Sequence, residues 1–296
     1  MTKPSLFDRN LVRQRYQRAL ASGYAGFLLE RMVEDMGDRL GAVVRDFKHA
    51  ADIGTVRADA SRFLKESGLA SEVSWLSPVP VSRPVGDGIT VVEGDEEAIP
   101  FQAGQFDLVV SLLALQSVND LPGALIQIRR ILVPDGLFLG CMLGGNTLTE
   151  LRNVLMQAEG EIEGGISPRV APFADLKDSG SLMQRAGFAL PVIDSDPLCV
   201  RYNTMFDLLR DLRAMGMTNA MTERRKVPLK RATLMRAAEL YAEQFSDPDG
   251  RIRATFDIIW LLGWAPHESQ PQPLKPGTAK ISLADAIKGA GSKTDS

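Results

Sequence analysis

The sequence has few of the residues that build disulfide frameworks or metal centres, with only two cysteines and two histidines among 296 residues. Cys141 and Cys199 are far apart in the chain, which excludes a cysteine-rich framework and favours a cytoplasmic location, where thiols stay reduced. His49 and His267 have no matching cysteine pair, so we expect no zinc or copper site. An iron site built from carboxylates stays open as an alternative.

The chain also lacks an excess of charge and a long apolar run. Lys and Arg total 34 against 37 Asp and Glu, a formal net charge of -3, which disfavours nucleic acid as a partner. The most apolar stretch, residues 108–118, is shorter than the ~20 residues that cross a bilayer. Residues 1–18 lack the apolar core of a secretory signal. We therefore predict no transmembrane segment.

What is present is typical of a folded domain. Hydrophobic residues make up 45% and charged residues 24% of the chain. Residues 1–45 show helical spacing and predict a helical lead-in. Residues 46–264 alternate near-continuous apolar runs with helical patterns, which predicts a doubly wound α/β domain, with a helical insertion and additions at about 160–250. Prolines among polar residues predict a disordered tail over residues 265–296.

Candidate site residues follow the predicted strands. Ligands of an open parallel sheet bind at the carboxyl ends of its strands. Asp52 and Gly54 close the first strand, Asp95 and Glu96 follow the third, and Ser111 ends the fourth. Glycine lets a ligand approach the backbone, and carboxylates accept hydrogen bonds from ribose hydroxyls or an adenine amino group. The pattern predicts a site for an adenosine-containing ligand, although Asp52 as a turn cap and Glu96 as a solvent-facing residue stay open.

Four segments resemble, in order and spacing, the successive motifs of class I S-adenosylmethionine-dependent methyltransferases. They are residues 52–54, 94–101, 106–111 and 131–136. The resemblance implies a Rossmann-like fold with a mostly parallel, seven-stranded sheet, and transferase activity. It also implies S-adenosylmethionine as the cofactor, with the five residues named above in contact with it. It identifies no catalytic residue.

Further segments resemble one branch of that family. They are residues 7–9, 118–122, 144–152 and 163–168. The branch contains the mitochondrial complex I assembly factor of methyltransferase fold, which is thought to hydroxylate an arginine of a complex I subunit. The resemblance implies a subunit of respiratory complex I, or another protein, as the partner. The function it implies is methylation, hydroxylation or chaperoning of that protein.

The first motif departs from the family pattern, in which three glycines follow the acidic residue. Val56 and Ala58 stand where two of those glycines are expected. The second strand ends around Trp75 without the acidic residue that holds the ribose in the family. A non-catalytic assembly scaffold with a decayed pocket and a small-molecule methyltransferase therefore stay open as alternatives.

Three polar segments outside these motifs carry predictions of their own. Thr147 and Glu150 have the spacing of a capping box, which predicts a helix from there to about residue 158. Glu159, Glu161 and Glu163 alternate in a glycine-rich segment, predicted as a solvated loop or, for an arginine-modifying enzyme, as a receptor for a substrate guanidinium. The basic cluster at residues 224–231 predicts a solvated surface.

Overall fold

Seven strands form one sheet in the computed structural model, which describes residues 5–82 and 84–270. The strands are β1 (Phe47–Ile53), β2 (Ala70–Ser77), β3 (Ile89–Glu93), β4 (Phe106–Leu112), β5 (Leu132–Leu143), β6 (Ala189–Tyr202) and β7 (Ile252–Trp264). Their order is β3-β2-β1-β4-β5-β7-β6. The first five are parallel, and β7 is antiparallel to both of its neighbours. The predicted fold class is confirmed.

Helices surround this sheet. They are α1 (Arg9–Ser22), α2 (Phe27–Gly41), α3 (Asp59–Glu66), α4 (Leu121–Ile131), α5 (Thr149–Glu163), α6 (Leu176–Arg185), α7 (Met205–Ala214) and α8 (Arg231–Phe245). A short 3-10 turn, Leu115–Ser117, follows β4. The central strands are apolar along both faces because helices cover each side. No helix in the described part of the chain is long and apolar enough to cross a membrane.

The structure describes the helical lead-in and only the first residues of the predicted tail. The lead-in forms α1 and α2, and Asp8 begins α1 by accepting a hydrogen bond from the backbone N of Leu11 (3.0 Å). Residues 5–266 belong to one compact unit. The predicted tail lies outside the described residues from position 271 onward. The region at 160–250 holds three helices and also the edge strand β6.

The predicted capping box before α5 is wrong. Leu148 occupies the cap position with φ 55° and makes no side-chain cap hydrogen bond. Thr147 Oγ1 instead donates to the carbonyl oxygen of Asp257 (3.2 Å), and Glu150 accepts a hydrogen bond from the backbone N of Thr255 (3.1 Å). Contacts with β7 replace the local cap, and they fix α5 on the sheet.

Candidate functional site

Asp52 ends β1 with its side chain completely buried. Its carboxylate accepts hydrogen bonds from Thr55 Oγ1 and from Ser61 Oγ, the latter at 2.8 Å. Burial raises the pKa of Asp52 to about 7, although these two hydrogen bonds oppose the rise. Asp52 therefore holds the turn between β1 and α3, and its contact with a cofactor stays a prediction.

The raised pKa makes a testable contribution to stability. The ordinary pKa is 3.8, so between about pH 4 and about pH 7 the folded state keeps a proton that the unfolded state loses. Stability is therefore lost as the pH rises through that window. Between about pH 5 and about pH 8, we expect the unfolding free energy of wild type to fall more than that of Asp52→Asn. The difference between the two losses should be on the order of 1 to 4 kcal/mol, measured by chemical denaturation.

The control for that experiment is Asp46→Asn, because Asp46 is exposed just before β1. This variant should keep the pH dependence of wild type. Identical pH slopes for Asp52→Asn and wild type would contradict the assignment of the raised pKa to Asp52.

Gly54 follows Asp52 with a positive φ of 77°, a conformation that favours glycine. Its backbone N donates to the carbonyl oxygen of Leu76 (2.9 Å). A Cβ at this position would collide with the side chain of Glu96. The space that glycine leaves beside the backbone is thus occupied by a side chain of the protein itself.

Glu96 and Asp95 bind arginines of α1. Arg9 pairs with both carboxylates, and Arg13 pairs with Asp95. Burial raises the pKa of Glu96, whose side chain is 3% exposed, while Arg9 opposes the rise. Burial also acts to raise the pKa of Asp95, but a backbone hydrogen bond from Glu97 and the two arginines outweigh it and lower the pKa. Sequence reasoning included Arg9 in a motif but assigned it no role.

Side chains also fill the remaining space at the carboxyl ends of β1, β2 and β4. Trp75 is buried, lies opposite Asp52 in β2, and donates from Nε1 to the carbonyl oxygen of Thr55 (2.9 Å). Val56 is buried as well, and Ser111 Oγ donates to the carbonyl oxygen of Ile53 (2.8 Å). The residues present therefore do not fit S-adenosylmethionine in this conformation, because Glu96 covers Gly54 and no acidic side chain follows Trp75 in β2.

A cavity of about 1430 Å³ opens beside this filled edge. It lies at the carboxyl ends of β4 and β5, where Ser117 and Leu143 line it, between α1, α5, α7 and the loop at 216–229. Tyr16 lines the cavity and interacts electrostatically with Glu96 and Arg9, and burial raises its pKa to about 12. None of the five predicted cofactor residues lines this cavity. Its lining residues on α1 and α7 were missed because they lie outside the motifs that the sequence analysis singled out.

The prediction that Glu159 lies in a solvated loop is wrong, because α5 continues past it and buries its side chain. Glu159 accepts hydrogen bonds from the backbone N of Ser167 (2.7 Å) and from Arg169 Nε (2.8 Å), and it also pairs with Arg225 (3.4 Å). Burial acts to raise its pKa, but the hydrogen bonds from Ser167 and Arg169 outweigh burial and lower it. The guanidinium groups at Glu159 are the protein's own.

The two neighbouring glutamates are paired in the same way. Glu161 binds Arg236 Nε (2.7 Å), and Glu163 binds Arg225 Nη2 (2.6 Å). The alternative prediction, that these carboxylates receive a substrate guanidinium, is therefore not supported by the geometry. Within residues 5–82 and 84–270, no three His, Cys, Asp or Glu side chains are grouped so as to hold a metal ion.

Comparisons with known proteins agree with the fold and extend over the whole domain. A family model described as a methyltransferase domain matches residues 76–140. Arginine-hydroxylase NDUFAF5 of Danio rerio is 39% identical over 292 residues, which cover 96% of this chain and 90% of the relative. The Homo sapiens protein of the same name is 38% identical, covering 96% and 84%.

More distant similarities concern methyltransferases and their fold. A malonyl-[acyl-carrier protein] O-methyltransferase of Halorhodospira halophila is 31% identical, covering 87% of this chain and 88% of the relative. The crystal structure of YcgJ from Bacillus subtilis superposes with a TM-score of 0.54 at 13% identity, covering 79% of this chain and 99% of that one. At that identity the superposition shows the fold alone.

Proposed function

This chain belongs to the family of the arginine-hydroxylase NDUFAF5, and we propose that it modifies or chaperones a protein substrate during the assembly of respiratory complex I. The link to complex I rests on the branch motifs of the sequence. We further propose that it works in the cytoplasm, because Cys141 and Cys199 are both free.

The observation that carries the proposal is the size and place of the cavity. Its volume of about 1430 Å³ exceeds the roughly 300 to 1,000 Å³ that is usual for small-molecule pockets. It opens at the carboxyl ends of the strands, the edge where proteins of this fold class bind their ligands. A polypeptide segment fills such a space better than a metabolite, which argues against the small-molecule alternative.

Side chains of the protein fill the space at the strand ends where proteins of this family bind their cofactor. With Glu96 over Gly54 and Trp75 at the end of β2, we derive no step through S-adenosylmethionine. The non-catalytic scaffold is favoured by the same observation and stays the second candidate. The mass of the bound protein distinguishes a modifying enzyme from a non-catalytic scaffold.

The test is deletion of the gene in its own organism, followed by two measurements on the membranes that hold complex I. We expect NADH:ubiquinone oxidoreductase activity to fall, because a factor needed for assembly is missing, and to return with the wild-type gene. Met217→Trp should not restore it, because Met217 lines the cavity and a larger side chain would fill it. The matched control is Met235→Trp, an exposed position on α8 outside the cavity, which should restore activity.

Peptide mass spectrometry of complex I subunits separates the forms of the proposal. A mass increase on a subunit that is present with wild type and absent after deletion supports modification. Lost complex I activity with unchanged subunit masses supports chaperoning by a scaffold. Unchanged activity and unchanged masses after deletion would overturn the proposed function.

A further inference from the structure

The walls of the cavity carry a large excess of positive charge. Among the described residues that line it, eight are Arg or Lys, and a single one, Asp211, is acidic. Three of the eight are neutralised by carboxylates of the protein: Arg169 and Arg225 pair with Glu159, and Arg210 pairs with Asp207. The other five lie in α1, in α7 and in the loop before α8.

Those five cations have no carboxylate within 4.0 Å in the described parts of the chain. They are Arg15, Arg18, Arg213, Arg224 and Lys226. Arg15 donates from Nη1 to the carbonyl oxygen of Thr218 (2.6 Å), a neutral partner. Burial, followed by repulsion from Arg224 and Arg18, lowers the pKa of Arg15. Asp8 compensates these like charges only in part, and bound carboxylates would relieve their repulsion.

The apolar part of the lining is mainly aliphatic, with Phe7, Tyr16 and Phe173 as its aromatic residues. Leu148, Leu151, Leu155 and Leu212 line the cavity and are buried. Leucines outnumber the aromatic residues in the lining, so this leucine floor suits aliphatic side chains better than base stacking, which depends on aromatic platforms. The fitting ligand therefore combines several negative charges with apolar groups, over a volume large enough for a chain segment.

We propose that the cavity binds an acidic segment of the protein substrate, with its aliphatic side chains on the leucine floor and its carboxylates on the five unpaired cations. The inference rests on the proposed function and names the chemistry of its partner. It also implies that any arginine to be modified is brought to the site by acidic neighbours, because the walls alone would repel it.

The test is fluorescence anisotropy with a fluorescein-labelled peptide made of Glu and Leu. The variant Arg18→Glu/Arg213→Glu reverses two cavity charges at side chains that make no ion pair with the rest of the described chain. We expect its Kd to rise at least about tenfold over wild type, and binding to weaken with added salt. The matched control, Lys177→Glu/Arg185→Glu, makes the same charge change on exposed positions of α6 outside the cavity and should bind like wild type.

Two further probes, a Gln-containing peptide and an oligothymidylate, test whether the cavity selects an acidic peptide. The same peptide with Gln in place of Glu should bind much more weakly to wild type. Equal affinity for the Gln peptide, or equal losses in the two double variants, would overturn the inference. Tighter binding of a labelled oligothymidylate, lost in Arg18→Glu/Arg213→Glu, would replace the acidic segment with nucleic acid and also overturn it.

The deletion strain separates failure of this inference from failure of the proposed function. If wild type restores complex I activity and Arg18→Glu/Arg213→Glu does so equally well, the proposed function stands and the acidic segment does not. If wild type and the empty vector give equal activity, the proposed function itself fails.

Discussion

Replacing Arg9 with alanine is expected to lower the free energy of unfolding by about 3 to 5 kcal/mol, the usual cost of removing one partner of a buried ion pair. Glu96 would be left with its side chain 3% exposed and without its arginine. Chemical denaturation measures the loss. Arg13→Ala is the matched control, because Arg13 pairs only with the more exposed Asp95 among the described residues and should cost much less.

The double variant Arg9→Ala/Glu96→Ala extends the experiment to the cofactor edge. It should regain part of the lost stability, since no buried carboxylate remains unpaired. It also uncovers Gly54, so we expect S-adenosylhomocysteine to bind it more tightly than wild type in a calorimetric titration. Absence of binding would mean that Trp75 and Val56 close the edge without Glu96. For the single variant Arg9→Ala, a loss of unfolding free energy below about 1 kcal/mol would contradict a buried ion pair between Arg9 and Glu96.

Glu159→Ala is expected to have an effect of similar size, about 3 to 5 kcal/mol of unfolding free energy. The carboxylate is completely buried and holds Ser167, Arg169 and Arg225 together. Removing it leaves the guanidinium of Arg169 without its carboxylate, whereas Arg225 keeps its pair with Glu163. It also frees the loop after α5, which forms one wall of the cavity. Thermal unfolding, followed by circular dichroism, measures the change.

The control is Glu161→Ala, two residues further along the same helix. Glu161 pairs with Arg236 at the surface, where ion pairs contribute little. A Glu159→Ala variant as stable as Glu161→Ala would show that the buried cluster does not hold the loop.

Much of the fold could be predicted because its signals are local. The apolar run at residues 106–111 became β4, and the helical spacing in residues 120–132 became α4. The fold class follows from that alternation of strands and helices. The capping box failed because Thr147 and Glu150 found partners on β7. Those partners are more than 100 residues away, and no local pattern reports such a contact.

The site was predictable in part for the same reason. The positions of Asp52, Gly54 and Asp95 at strand ends follow from the sheet and the order of motifs. What occupies the space beside them does not, because Arg9 reaches Glu96 from 87 residues away. The pairing of Glu159 with Arg225 spans 66 residues. The basic cluster at 224–231 is largely exposed, as predicted, but the sequence did not indicate that Arg224, Arg225 and Lys226 also line the cavity.

The edge strand β6 has a consequence for self-association. Among the described residues it pairs with β7 alone, so its outer side offers backbone groups to any further strand. Pro197 lacks an N–H to donate, and the carboxylate of Asp196 would oppose the same group on a second copy, whereas Asp194 is already paired with Arg39. The offset in pairing between Ala189 and Val192 also interrupts the regular spacing of the strand. These features disfavour pairing of β6 with the same strand of a second copy.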